Sequence, residues 1–117
     1  MTDLATNGVR TLGPSDAIPD DLVVAHYLAD LKLRISIARA DGRLYAFDDL
    51  CPCDEPACPL SGGLLTGTTL MCQCHGSRFD ITTGAVVRGP ATEPLRRHEV
   101  HEVDGSIRVR ARPGPPR

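Results

Sequence analysis

Apolar and polar side chains alternate along the first half of the chain with a period of two. Leu31, Leu33, Ile35 and Ile37 are separated by Lys32, Arg34 and Ser36. Successive side chains of a strand point to opposite faces, so this run predicts a half-buried strand over 31–37. Ala40-Asp41-Gly42-Arg43 follows, and Asp-Gly accepts the positive φ of a tight hairpin. Leu44-Tyr45-Ala46-Phe47 is then the returning strand. Upstream, Ile18-Pro19-Asp20-Asp21 reads as a turn and Leu22 to Tyr27 as a further strand. Downstream, three hairpins are expected. Leu64-Leu65 and Thr69-Leu70-Met71 flank Thr66-Gly67-Thr68. Arg78 to Ile81 and Ala85 to Val87 flank Thr83-Gly84. His98 to Val103 and Ser106 to Arg110 flank Asp104-Gly105. Loops are expected at 51–63, 72–77 and 88–91. Many short strands joined by turns predict an all-β, antiparallel sandwich or barrel.

Composition narrows the class. The 117 residues suffice for one domain with its own core and are too few for two. One domain is expected over 1–111, with a disordered tail at 112–117. Aromatics are scarce, so Val, Ile, Leu and Ala must build the core. The formal charge of −2 offers no reason to expect nucleic acid or an anionic membrane as partner. The basic C-terminal stretch, with Arg96, Arg97, Arg108, Arg110, Arg112 and Arg117, reads as a solvated face plus a loose tail rather than a docking patch. No apolar run is long enough to cross a bilayer, and the N-terminus does not read as a secretory signal. A soluble, cytoplasmic protein is expected. In that compartment five cysteines point to metal or redox chemistry before a disulfide scaffold.

That chemistry gathers in two loops. The first carries Cys51, Cys53 and Cys58; the second carries Cys72, Cys74 and His75. Thiolate and imidazole suit zinc or iron–sulfur clusters, not calcium or magnesium. Three Cys and one His also form a common closed zinc set, so a structural zinc domain is an alternative.

Cys72-Gln73-Cys74-His75-Gly76-Ser77-Arg78-Phe79-Asp80 resembles the second cluster-binding box, C-x-C-H-G-S-x-[FY]-D, of Rieske-type [2Fe–2S] ferredoxins. Phe47-Asp48-Asp49-Leu50-Cys51 resembles the approach to the first box, and Cys58-Pro59-Leu60-Ser61-Gly62-Gly63 its exit. Thr83-Gly84-Ala85, Gly89-Pro90-Ala91 and Pro94-Leu95 resemble the hairpin and proline-bearing loop that follow. The resemblance spans roughly residues 9–110. It implies a Rieske-like β-sandwich with a small cluster-binding subdomain at about 50–90. It also implies a [2Fe–2S] cluster with two Cys on one iron and two His on the other.

The first box departs from the family pattern. C-x-H is expected, but the chain has Cys51-Pro52-Cys53, and no His lies between His26 and His75. In one register Cys51 is the usual first ligand and Cys53 replaces the His. In the other, Cys53 is the first ligand and Glu55 falls where His belongs. Thiolate is the softer ligand, which favours the first register. Cys51 and Cys72 would then bind one iron, and Cys53 and His75 the other. Cys58 in place of Cys53 is a third arrangement. In high-potential relatives, cysteines matching Cys58 and Cys74 form a disulfide; two buried thiols are the alternative here. The resemblance further implies that Ser77 donates a hydroxyl hydrogen bond to a bridging sulfide. Phe79 stands where the highest-potential members carry Tyr. Gly62 and Gly76 would permit close backbone approach, and Gly89-Pro90 would cover the cluster.

A third thiolate adds negative charge, so the potential is expected toward or below the low end of about −150 to +300 mV spanned by two-histidine clusters. His26, His98 and His101 are expected at the surface or half-buried, without a role at the site. No Ser-His-Asp set, phosphate-cradling loop or paired acids suggest substrate turnover, so the chain is not expected to be an enzyme by itself. The resemblance implies a soluble one-electron carrier between a reductase and an oxygenase or other redox enzyme, with His75 as the exit. A redox or iron–sulfur sensing module, or the small subunit of a nitrite-reductase-type enzyme, are alternatives.

Overall fold

The computed structural model describes residues 9–29, 31–50, 59–74, 76–89 and 91–111. Within them the chain forms β1 (Val9–Pro14), β2 (Leu22–Leu28), β3 (Leu33–Ala40), β4 (Arg43–Asp48), β5 (Leu64–Thr66), β6 (Thr69–Met71), β7 (Arg78–Asp80), β8 (Val86–Arg88), β9 (Arg97–Val103) and β10 (Ser106–Arg110). Short 3₁₀ turns occupy Ser15–Ala17 and Leu60–Gly62. The strands make a six-stranded sheet in the order β1-β10-β9-β4-β3-β2 and a four-stranded sheet in the order β5-β6-β7-β8. Every strand pair is antiparallel. The expected tail at 112–117 lies outside the described residues. Among the described residues, no helix is long and apolar enough to cross a membrane.

The small sheet is an excursion from the large one. The chain leaves at the end of β4 and rejoins at β9, which pairs back onto β4 at Ala46↔His98 and Phe47↔Arg97. Both donor loops belong to this excursion. The hairpin chemistry follows the expectation: Asp41 and Gly42 take φ of +52° and +79°, the left-handed pair that a two-residue turn needs.

The expected strand over 31–37 needs two corrections. It begins at Leu33, because Lys32 takes φ +51° in the turn from β2, leaving Leu31 exposed. It is also buried on both faces rather than one: Ile35, Ser36, Ile37 and Ala38 are all fully buried. Ile35 and Ile37 join one core with Ile18, Leu44, Ile107 and Val109. Ala38 and Ala40 join the other with Phe47, Leu60, Leu70 and Phe79. Ser36 is tolerated between them because its hydroxyl donates to Asp49 Oδ1 at 2.6 Å; a buried hydroxyl without such a partner costs a few kcal/mol.

Candidate metal centre

The first donor loop is held at its two ends. β4 delivers Asp49 and Leu50 to the loop, and Leu50 bridges to Pro59 on its far side. Leu60 N–H donates to Asp49 O at 2.6 Å. Ser61 N–H donates to Asp49 Oδ1 at 2.8 Å, and the Arg34 guanidinium donates to Oδ2. Asp49 is fully buried, so a single carboxylate clasps the start and finish of the 51–58 segment to strand β3.

Its neighbour Asp48 ties the same strand end to β9. Asp48 Oδ1 lies 2.7 Å from His98 Nε2, Oδ2 accepts from Arg96 Nη1 at 3.3 Å, and Asp48 N–H donates to Arg96 O at 2.9 Å. His98 is buried, which corrects its expected place at the surface or half-buried. His26 is half-buried and His101 exposed, as expected. Arg96 likewise leaves the expected solvated face for its carboxylate.

The second loop closes on itself between β6 and β7. Cys72 N–H donates to Ser77 O at 2.7 Å, and Gly76 N–H to Cys72 O at 3.0 Å. Gly76 takes φ +76° with open space around it, so its glycine is required by the turn. Cys72 is a reduced, fully buried cysteine. Cys74 is disulfide-bonded.

Ser77, also fully buried, accepts from Ala91 N–H at 2.9 Å, linking the second loop to the third. Its own hydroxyl proton has no acceptor among the described residues. A buried O–H donor beside a loop of soft ligands fits an anionic, sulfide-containing group. Phe79 is fully buried in the core beneath the loop. Gly63 is required by strand packing: a Cβ there would lie 2.2 Å from Met71 O, whereas one on Gly62 would meet the Gln73 side chain.

Cys51, Cys53, Glu55, Cys58, His75 and Pro90 lie outside the described residues. Among the described residues no three His, Cys, Asp or Glu side chains gather as a metal site. Asp48, Asp49 and the buried His98 are positioning groups that sequence reasoning missed. The one available signal was the Asp-Asp pair directly before the first box.

A two-sheet antiparallel β fold, with the fully buried Cys72 and Ser77 in the loop between two strands of its small sheet and a buried carboxylate at the approach to the first loop, fits a small protein built around a redox or metal centre. The family description Rieske [2Fe-2S] domain matches residues 10–99, and the chain belongs to that family. It is similar to the anthranilate 1,2-dioxygenase ferredoxin subunit of Burkholderia cepacia, 30% identical over 109 residues, 93% of this chain and 97% of that one. It superposes on the Sphingomonas yanoikuyae B1 ferredoxin with a TM-score of 0.78 at 27% identity, covering 88% of this chain and 98% of that one. The fold also matches a chain from a complex of reduced oxygenase and oxidised ferredoxin in carbazole 1,9a-dioxygenase. There the TM-score is 0.80 and the identity 23%, over 89% of this chain and 94% of that one. The chain therefore holds a [2Fe–2S] cluster and carries electrons rather than turning over a substrate.

Proposed function

We propose that this chain passes single electrons from a reductase to an oxygenase, with Cys51 and Cys72 on one iron and Cys53 and His75 on the other. The observation that carries the assignment is Cys72, buried and reduced at the head of a self-closed loop, beside a Ser77 hydroxyl with a proton to give. When bound, the cluster supplies reversible one-electron oxidation and reduction. The similarity to a dioxygenase ferredoxin subunit over nearly its whole length supports an oxygenase as acceptor.

The residues divide the remaining work. Asp49 sets the spacing of the first loop's ends. Ser77 offers a hydrogen bond that favours added negative charge, and Phe79 and Leu60 keep water out from below. Cys74 is disulfide-bonded. The family resemblance pairs the cysteines matching Cys58 and Cys74, and that pairing would leave Cys51 and Cys53 as the ligands of the first loop. Residues about 50–90 act as the cluster-binding subdomain of a single domain over 1–111.

EPR of the dithionite-reduced protein, with iron and sulfide analysis, tests this reading. Iron and acid-labile sulfide are expected in equal amounts. The average g value should lie between those of all-thiolate and two-histidine clusters, and the potential toward or below about −150 mV. A two-histidine signature would overturn the ligand set, and iron-free protein from iron-replete cells the whole reading.

A further inference from the structure

Strand register lays four outward side chains in a row across one end of the small sheet: Leu64 opposite Met71, Met71 opposite Arg78, and Arg78 opposite Arg88. The alternate positions Leu65, Leu70 and Phe79 are buried, so the row points away from the core. It lies at the end from which the donor loops leave. Gly63 precedes Leu64, Cys72 follows Met71, Ser77 precedes Arg78 and Gly89 follows Arg88. Leu64 is 60% exposed, and Val87, beside the row where the β7–β8 register shifts, is 58% exposed.

Arg78 and Arg88 stand directly opposite each other, both exposed. Like charges in that position weaken a sheet. Neither guanidinium has a carboxylate or other side-chain partner among the described residues. The acid on the same face, Asp80, directs Oδ1 to the Thr82 N–H and hydroxyl. A chain of formal charge −2 thus keeps together, next to its redox loops, exposed apolar side chains and two cations with no carboxylate partner among the described residues. Among the described residues neither packing nor internal pairing accounts for this row.

We infer that the outward face of β5–β8 docks the electron-accepting oxygenase through a carboxylate-rimmed apolar patch on that protein. Carboxylates meet Arg78 and Arg88, and apolar side chains meet Leu64, Met71 and Val87. Guanidinium forks match carboxylates with two parallel hydrogen bonds, and the local positive field steers the encounter. Nucleic acid would require a broad basic surface, which a chain of net negative charge with two clustered arginines does not offer. The inference rests on the reading of the chain as an electron carrier.

The test uses dithionite-reduced holoprotein and two small oxidants, anionic ferricyanide and cationic hexaamminecobalt(III), in stopped flow at low salt. Arg78→Glu/Arg88→Glu is expected to slow ferricyanide about tenfold and to speed the cobalt complex. Arg43→Glu/Arg108→Glu makes the same charge change on the large sheet and is expected to move either rate less than about twofold. Equal effects from the two pairs would overturn the inference. With an oxygenase component that the wild-type protein reduces, the first pair should raise KM for this chain about tenfold and leave kcat unchanged; an unchanged KM would also overturn it. Arg88→Glu alone should raise the thermal midpoint, because the opposed cations become an ion pair; a fall would remove the premise. Pelleting with phosphatidylglycerol vesicles that is lost in the double variant would assign the face to lipid instead. Protein without iron defeats the carrier reading, whereas reversible reduction with unaltered rates defeats only the docking face.

Discussion

The Asp49 carboxylate accepts from three groups in two parts of the chain: Arg34 and Ser36 on β3, and the Ser61 backbone beyond the first donor loop. Arg34 is 56% exposed, so that ion pair adds little. The weight lies with the buried Ser36 hydroxyl and the Ser61 N–H, which lose their acceptor together if the carboxylate is removed. Asp49→Ala is therefore expected to destabilise the holoprotein by roughly 2–4 kcal/mol. Asp49→Asn keeps one oxygen and should cost less than half of that. Denaturant unfolding compares the two, and equal losses would show that the negative charge, rather than the retained oxygen and bulk, carries the effect. The second box, Cys72 to Asp80, was legible in the sequence as a motif, because thiols and an imidazole at that spacing have few other uses. Asp49 was not. Two adjacent acids at a strand end look alike until the register turns one toward β3 and the other toward His98.

At the scale of elements, hairpins were the most legible feature, because Asp41-Gly42, Gly67 and Asp104-Gly105 carry their backbone requirement in their residue types. The two-sided burial of β3 was hidden. Alternation reports polarity, and Ser36 is polar yet buried, its hydrogen bond supplied by a residue thirteen positions away. Gly63 is a similar case: its φ is −82°, so no conformational need marks it, and only its contact with the Met71 carbonyl does. Gly67, by contrast, has φ +60° and open space. Gly67→Ala should cost about 1 kcal/mol, the price of the left-handed conformation. Gly63→Ala should cost at least about twice that, since β5 and β6 must separate one residue before Cys72. Thermal unfolding of both variants checks the order, and the reverse order would show that β5 shifts freely.

For the molecule as a whole, the long-range polar links decide how stability depends on pH. Arg39 on β3 reaches Ile18 O, Ser15 O and both oxygens of Glu102 on β9. Hydrogen bonds from Arg39, then Ser15, hold the Glu102 carboxyl below its ordinary 4.5. Those from the Thr82 hydroxyl and N–H hold Asp80 below 3.8. A carboxyl depressed in the folded state adds stability that is present above its unfolded value and is lost as pH falls through its folded one. Both groups are well solvated, so this acid step is small and weakens further with salt. His26 adds an earlier step. Burial lowers its pKa from 6.5, so below that value the unfolded chain binds a proton that the folded chain resists. Stability should then decline from about pH 6.5 downward until the folded imidazole also titrates, and level off there as far as His26 is concerned. Acid also attacks the cluster ligands, so total stability cannot isolate this term, but a difference between variants can. His26→Gln should match the wild type in the slope of stability against pH above pH 7. Below it, the variant should lose stability less steeply, and denaturant midpoints at half-unit intervals from pH 5 to 8 would show the two curves converging or crossing. Parallel curves throughout would mean that the half-buried imidazole on β2 takes up its proton as readily in the folded chain as in the unfolded one.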